Sequence, residues 1–171
     1  MNTPETKSPA FLAIGLAGLI AGILDITSAF VLSYPKGVGP ISVLQGVASG
    51  LIGREPAIHG GMATAGLGLA IHFFIAFVAA SVFYAASRKV AWLRRQAVIS
   101  GFLYGIAIYL VMYWIVMPLA YPVVHPSISR DTSAVIVHMF LIGLPISLIV
   151  RRFSQPNRPS ALDYRSMGNA K

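Results

Sequence analysis

Residues 62–86 read MATAGLGLAIHFFIAFVAASVFYAA and contain no Asp, Glu, Lys or Arg. As a helix rising 1.5 Å per residue, this run is about 37 Å long, enough to cross a hydrocarbon core of ~30 Å. A chain placed in lipid must satisfy its backbone internally, so a run of this composition is read as a spanning helix. Three further stretches share the pattern: 10–32 (with FLAIGLAGLIAGIL), 97–119 (with GFLYGIAIYLVMYWIVM) and 133–150 (SAVIVHMFLIGLPISLIV). The last is short and is interrupted by Pro145. Neighbouring helices can re-satisfy the carbonyl that such a proline frees.

Composition agrees with four crossings. Of 171 residues, 56% are hydrophobic and only 11% are charged. A soluble domain carries roughly 25% charged residues, so this chain cannot coat a water-facing surface. The same hydrophobicity excludes a disordered chain. The absence of Cys removes disulfides, iron–sulfur clusters, thiolate zinc sites, covalent haem and thiol nucleophiles together. A net charge of +8 could point to nucleic acid, but the apolar bulk directs it to a membrane surface. No nucleic-acid partner is expected.

The expected fold is therefore all-α and integral to the membrane. It is a four-transmembrane-helix bundle with an additional short amphipathic or re-entrant helix in the first outer loop. Residues 1–9 form an N-terminal segment, 10–150 the membrane domain, and 151–171 a basic, Pro-punctuated tail read as disordered. The first span is read as uncleaved: its apolar run is long, only Lys7 precedes it, and Asp25 stands where a cleavage region would lie.

Basic residues set the orientation. Arg88, Lys89, Arg94 and Arg95 lie in the turn between spans two and three. Arg151, Arg152, Arg158, Arg165 and Lys171 follow span four, and Lys7 precedes span one. Lys36, Arg54 and Arg130 are on the other side. This bias predicts a multi-pass protein of the bacterial inner (cytoplasmic) membrane with both termini cytoplasmic. The basic turn and tail serve as topology determinants, and their expected partner beyond the bilayer itself is anionic lipid.

The first outer loop contains YPKGVGPISVLQGVASGLIGREPAIHGG. Its breaker cluster Pro35, Gly37, Gly39 and Pro40 precedes a helical stretch, 41–53, too short to span. Ser42, Gln45 and Ser49 recur at helical spacing as a polar face, opposite Ile41, Leu44, Ala48, Leu51 and Ile52.

Small residues mark the packing faces. Lipid tails are as apolar as Leu, so helices associate largely by close approach. Gly18 and Gly22 form a GxxxG pair in span one, and Gly101 and Gly105 another in span three. Gly61, Ala65, Gly68, Ala76 and Ala80 line span two. The same stripes can serve a homo-oligomer.

An ionisable group at membrane depth costs ~3 kcal/mol or more, so it normally faces protein. Asp25 shares a face with Gly18, Gly22 and Ser28; His72 shares one with Ala65, Gly68 and Ala76. By helical rise, Asp25 lies about 10 Å before the end of its span, His72 about 15 Å after the start of its own, and His138 about 8 Å into span four. An intramembrane polar site of Asp25, His72 and His138 in the outer half is the sharpest expectation. Three readings stand beside one another. The residues tie helices together as the glue of a structural or assembly partner, they handle protons or a small cationic solute, or His72 and His138 hold one b-type haem. No metal site and no cofactor other than that haem is expected. No HExxH, P-loop, GxSxG or paired-carboxylate motif is present, so no enzyme is expected.

The chain also resembles the YagU family of small four-span bacterial inner-membrane proteins. The resemblance rests on GLIAG at Gly18–Gly22, the His72 span ending before a basic turn, MPLAYP at Met117–Pro122, and VHMF with RRF between Val137 and Phe153. It implies a small inner-membrane protein and no catalytic residues. The long Pro/Gly loop and Asp25 have no counterpart in that pattern.

Overall fold

The computed structural model describes residues 9–120 and 132–154. The expectations that concern residues 1–8, Arg130 and the tail beyond Ser154 lie outside the described residues. Helix α1 is Pro9–Ser33, closed by a 3₁₀ turn at Tyr34–Lys36. Three elements form the first connection and second span: α2 (Pro40–Ile52), α3 (Arg54–His59) and α4 (Gly61–Lys89). A short α5 (Ala91–Arg95) leads to α6 (Ala97–Val111), a π-helical segment at Met112–Val116 and α7 (Met117–Ala120). The last crossing is α8 (Thr132–Val137), a second π-helical segment at His138–Gly143, and α9 (Leu144–Ser154).

Four helices are long and apolar enough to cross a membrane: Ala10–Lys36, Gly61–Lys89, Ala97–Leu119 and Thr132–Ser154. The protein is thus helical and of the multi-pass membrane type; among the described residues there is no strand. Its side-chain distribution inverts that of a water-soluble domain. Ala13, Ala17, Ala21, Ala65 and Ala80 are buried, whereas Leu19, Ile23, Phe74, Val82, Leu103 and Trp114 are exposed. Lipid welcomes large apolar groups outside, and small residues inside let the backbones meet.

Glycine fixes how the helices meet. A Cβ on Gly18 would collide with the Phe77 ring, and one on Gly22 would lie 2.8 Å from the Phe73 ring. Pairing 18 with 77 and 22 with 73 makes α1 and α4 antiparallel in a single register. On the other side, a Cβ on Gly105 would lie 2.5 Å from Met139 Cα, and one on Gly143 would lie 2.8 Å from Gly105 Cα. There α6 and the second π segment touch backbone to backbone. Between these pairs, α1 packs along α9, and the core comprises Ala17, Ala21, Ala79, Ala80, Phe83, Ile142, Ile146 and Val150. Larger side chains join α4 to α6. Phe83 and Tyr104 lie 4.9 Å apart by ring centroid, and the Tyr104 hydroxyl donates to Ala79 O at 2.7 Å.

Both π segments have a cause in the sequence. A proline ring clashes with the carbonyl four residues earlier and removes one amide donor. Pro118 and Pro145 place that clash at Trp114 and Leu141, each inside a π segment. The chain widens by one residue instead: Met117 N–H donates to Met112 O, and Leu144 N–H to Met139 O.

Gly105→Ala and Gly143→Ala are expected to lower the thermal midpoint of the detergent-solubilised protein, by about 1–3 kcal/mol of stability each. Gly15→Ala and Gly66→Ala, where a Cβ meets nothing within 4 Å, are expected to leave it unchanged or slightly raised, as a helix gains from losing glycine. A thermal shift of similar size in both sets would contradict the packing described.

Candidate functional site

The α1–α4 register brings His72 to the level of Gly22 and Asp25. Its Nε2 lies 2.9 Å from Gly22 O, and its Nδ1 lies 4.0 Å from Asp25 Oδ2. A carbonyl only accepts, so Nε2 carries a proton. Nδ1 of a neutral His72 would then turn a lone pair toward the carboxylate. A proton on either atom would turn the contact into an attraction across a 4.0 Å gap. That gap exceeds the ~3.2 Å limit of a good hydrogen bond, so the pair is adjacent without being locked. Asp25 keeps 27% of its side chain accessible against 12% for His72.

His138 opens the second π segment and is 9% exposed. Its Nδ1 donates to Ala134 O at 2.7 Å. Both imidazoles lie within electrostatic reach of the Asp25 carboxylate. Among the described residues, no three His, Asp or Glu side chains gather as a metal-ligand set. The haem reading requires a His72 nitrogen directed at a shared centre with His138. Here Nε2 is bonded to α1 and Nδ1 faces α1 as well.

Two residues beside His138 were not singled out from the sequence. Tyr109 and Tyr113 stack at 4.7 Å, and His138 stands edge-on to both, at 5.9 and 6.1 Å. The signal was present: Gly101, Gly105, Tyr109 and Tyr113 continue one four-residue spacing. The close-packing face of span three becomes an aromatic face where the backbone begins to widen.

The three residues of the α2 polar face are placed differently from one another. Ser42 is exposed and Ser49 is half-buried with its hydroxyl on Gly46 O, but Gln45 is turned into the protein, 8% exposed. Gln45 Nε2 donates to Gly61 O at 3.1 Å and Ile58 O at 3.3 Å. Thr64 Oγ1 donates to Ala57 O at 2.6 Å. The last carbonyls of a helix have no partner within it, and α3 is too short to supply any. Gln45 and Thr64 supply donors there, and this need outweighs the attraction of water for the amide. On the opposite face Ala48 is buried, whereas Ile41 and Leu51 are exposed. The α2 backbone at Leu44 and Ala48 rests on Gly68, seven residues into α4. The remaining histidine of the first connection, His59, pairs with Glu55 at 3.4 Å on the exposed surface, away from the site.

No protein-family model, curated protein or solved structure matches the chain.

Gln45→Leu removes the side-chain donor to Ile58 O and one of two side-chain donors to Gly61 O, and is expected to cost about 1 kcal/mol in thermal or denaturant unfolding. Ser42→Ala is expected to be silent; equal losses would return the polar face to solvent. Imidazole ¹⁵N shifts are expected to show a protonated Nε2 in His72 and a protonated Nδ1 in His138. The opposite tautomers would contradict both carbonyl bonds.

Proposed function

We propose that the chain is a non-enzymatic protein of the bacterial inner membrane, with both termini cytoplasmic, whose Asp25–His72 pair takes up and releases a proton or a small cation at membrane depth. The observation that carries this reading is the His72 geometry. One ring nitrogen is occupied by Gly22 O at 2.9 Å, and the other faces a carboxylate at 4.0 Å. A purely apolar contact would serve packing at lower cost, because ionisable groups at this depth are expensive. Helix α2 belongs to the same picture as a re-entrant element. Its docking on Gly68 lies about 10 Å along the second crossing, between the outer surface and the pair.

A second reading has its own observation. The His72–Gly22 bond is a complete tie between α1 and α4, and such ties are worth ~0.6–2 kcal/mol in membrane bundles. On that reading the site is glue, and the protein is a structural or assembly partner.

Proteoliposomes with a trapped pH dye and an imposed gradient separate the two. Proton flux above that of empty vesicles, lost at least about tenfold in Asp25→Asn and in His72→Gln, is expected if the site passes protons, since ~1.4 kcal/mol lost at the site is a factor of ten. Flux in Asp25→Asn equal to the unsubstituted protein would overturn the proton reading. Flux no greater than from empty vesicles, with reduced thermal stability in His72→Gln, would establish the glue.

A further inference from the structure

Six cations converge at the end of the bundle remote from Asp25. Arg88 and Lys89 close α4, Arg94 and Arg95 close α5, and Arg151 and Arg152 lie in the last turn of α9. The sequence places them on one side of the membrane. The structure adds that the segments carrying them pack together: α5 lies against both α4 and α9. The turn is built rather than loose. Leu93 packs against the core, and the buried Ser100 hydroxyl donates to Leu93 O at 2.7 Å. Arg94 is half-buried and the other five are exposed.

Nothing described in the protein balances this charge. The ion pairs among the described residues join His59 to Glu55 and His72 to Asp25, and none includes the six. Helix C-termini attract cations, and three end here. At about half a negative charge each they offset at most about 1.5 of the six positive charges. Beyond Ser154 the sequence is itself net basic, with Arg158, Arg165 and Lys171 against Asp163. Orienting the chain in a membrane requires basic residues on one side, but not that two separate segments be packed together. Trp92, in the middle of α5, is 46% exposed beside these cations, and Val90 is 49% exposed. An aromatic ring and an apolar side chain next to forked guanidinium groups suit a ligand with a phosphate at one end and acyl chains at the other.

We propose that the α4–α5 turn and the last turn of α9 form a binding site for the headgroup of an anionic phospholipid, with Trp92 against its glycerol and upper acyl region. The site does not involve Asp25 or His72 and stands independently of the proton reading.

Trp92 reports on the site directly. In the Trp114→Phe background it is the only tryptophan, and lipids with brominated chains quench it on contact. The protein is reconstituted in phosphatidylcholine with a small mole fraction of brominated phosphatidylglycerol or, separately, of brominated phosphatidylcholine. Stronger quenching by the anionic lipid is expected, falling as salt is raised because exposed charges are screened. Arg94→Gln with Arg151→Gln is expected to weaken the preference by about tenfold, and Lys36→Gln with Arg54→Gln at the other end to leave it intact. Equal quenching by the two lipids in the unsubstituted arginine background would overturn the proposal, whatever the fate of the variants. Loss of the preference on adding inorganic phosphate, where sodium chloride at the same ionic strength leaves it, would assign the cations to a free anion and overturn it as well.

Discussion

Glycine admits a close approach at two helix crossings, against aromatic rings at one and against backbone at the other, and the rest of the molecule follows from that approach. In a bilayer the tails around a helix are as apolar as its own Leu and Ile, so burying such side chains against another helix gains little. What remains is dispersion, which falls steeply with distance. Gly18 and Gly22 let α1 lie on the Phe73–Phe77 face of α4, and Gly105 with Gly143 let α6 lie on the last crossing. Each crossing admits one register, because a shift by one residue would bring a Cβ into a backbone. The level at which polar groups meet is therefore inherited from glycine positions many residues away. His72 reaches Gly22 O and Asp25 because 18 faces 77 and 22 faces 73.

The prolines act in the opposite sense. Glycine removes space between helices, whereas Pro118 and Pro145 force the third and fourth crossings to add it. Each widens into a π segment one turn before the ring. Such segments recur at functional sites because they displace a side chain from the regular helical stripe. His138 is the first residue of one, and Tyr113 lies in the other, with the rings edge-on at 6.1 Å. The aromatic and histidine groups of the third and fourth crossings thus gather where both backbones leave α-helical geometry.

Much of this was legible beforehand. Four apolar runs announce themselves by length, and the small residues at 18, 22, 101 and 105 mark faces that meet other helices. The inward turn of Asp25 and His72 follows from the cost of exposing them to lipid. Other features depend on information that spacing does not contain. Gln45 looks like part of a solvent-facing stripe until α3 is known to end beside it with unpartnered carbonyls. Periodicity reports which residues share a helix face, but not what that face meets. The role of Tyr109 and Tyr113 was hidden differently. Their spacing continues the glycine stripe, but an aromatic residue in an apolar span gives no reason by itself to point inward.

Both histidines are held by a carbonyl, and on the proposed proton reading that anchoring bears on exchange. A ring bonded to a carbonyl keeps its orientation, so proton transfer at the other nitrogen requires no rotation of the side chain. His72 is held by Gly22 O from the neighbouring helix, and His138 by Ala134 O one turn back along its own. The first bond reads the distance between α1 and α4; the second is indifferent to helix separation. A small opening between α1 and α4 would release His72 and move Asp25 from it while leaving His138 in place. The glue and proton readings are therefore linked by geometry. The bond that joins the helices also sets which nitrogen faces the carboxylate, and a change in helix spacing is a change in the proton's surroundings.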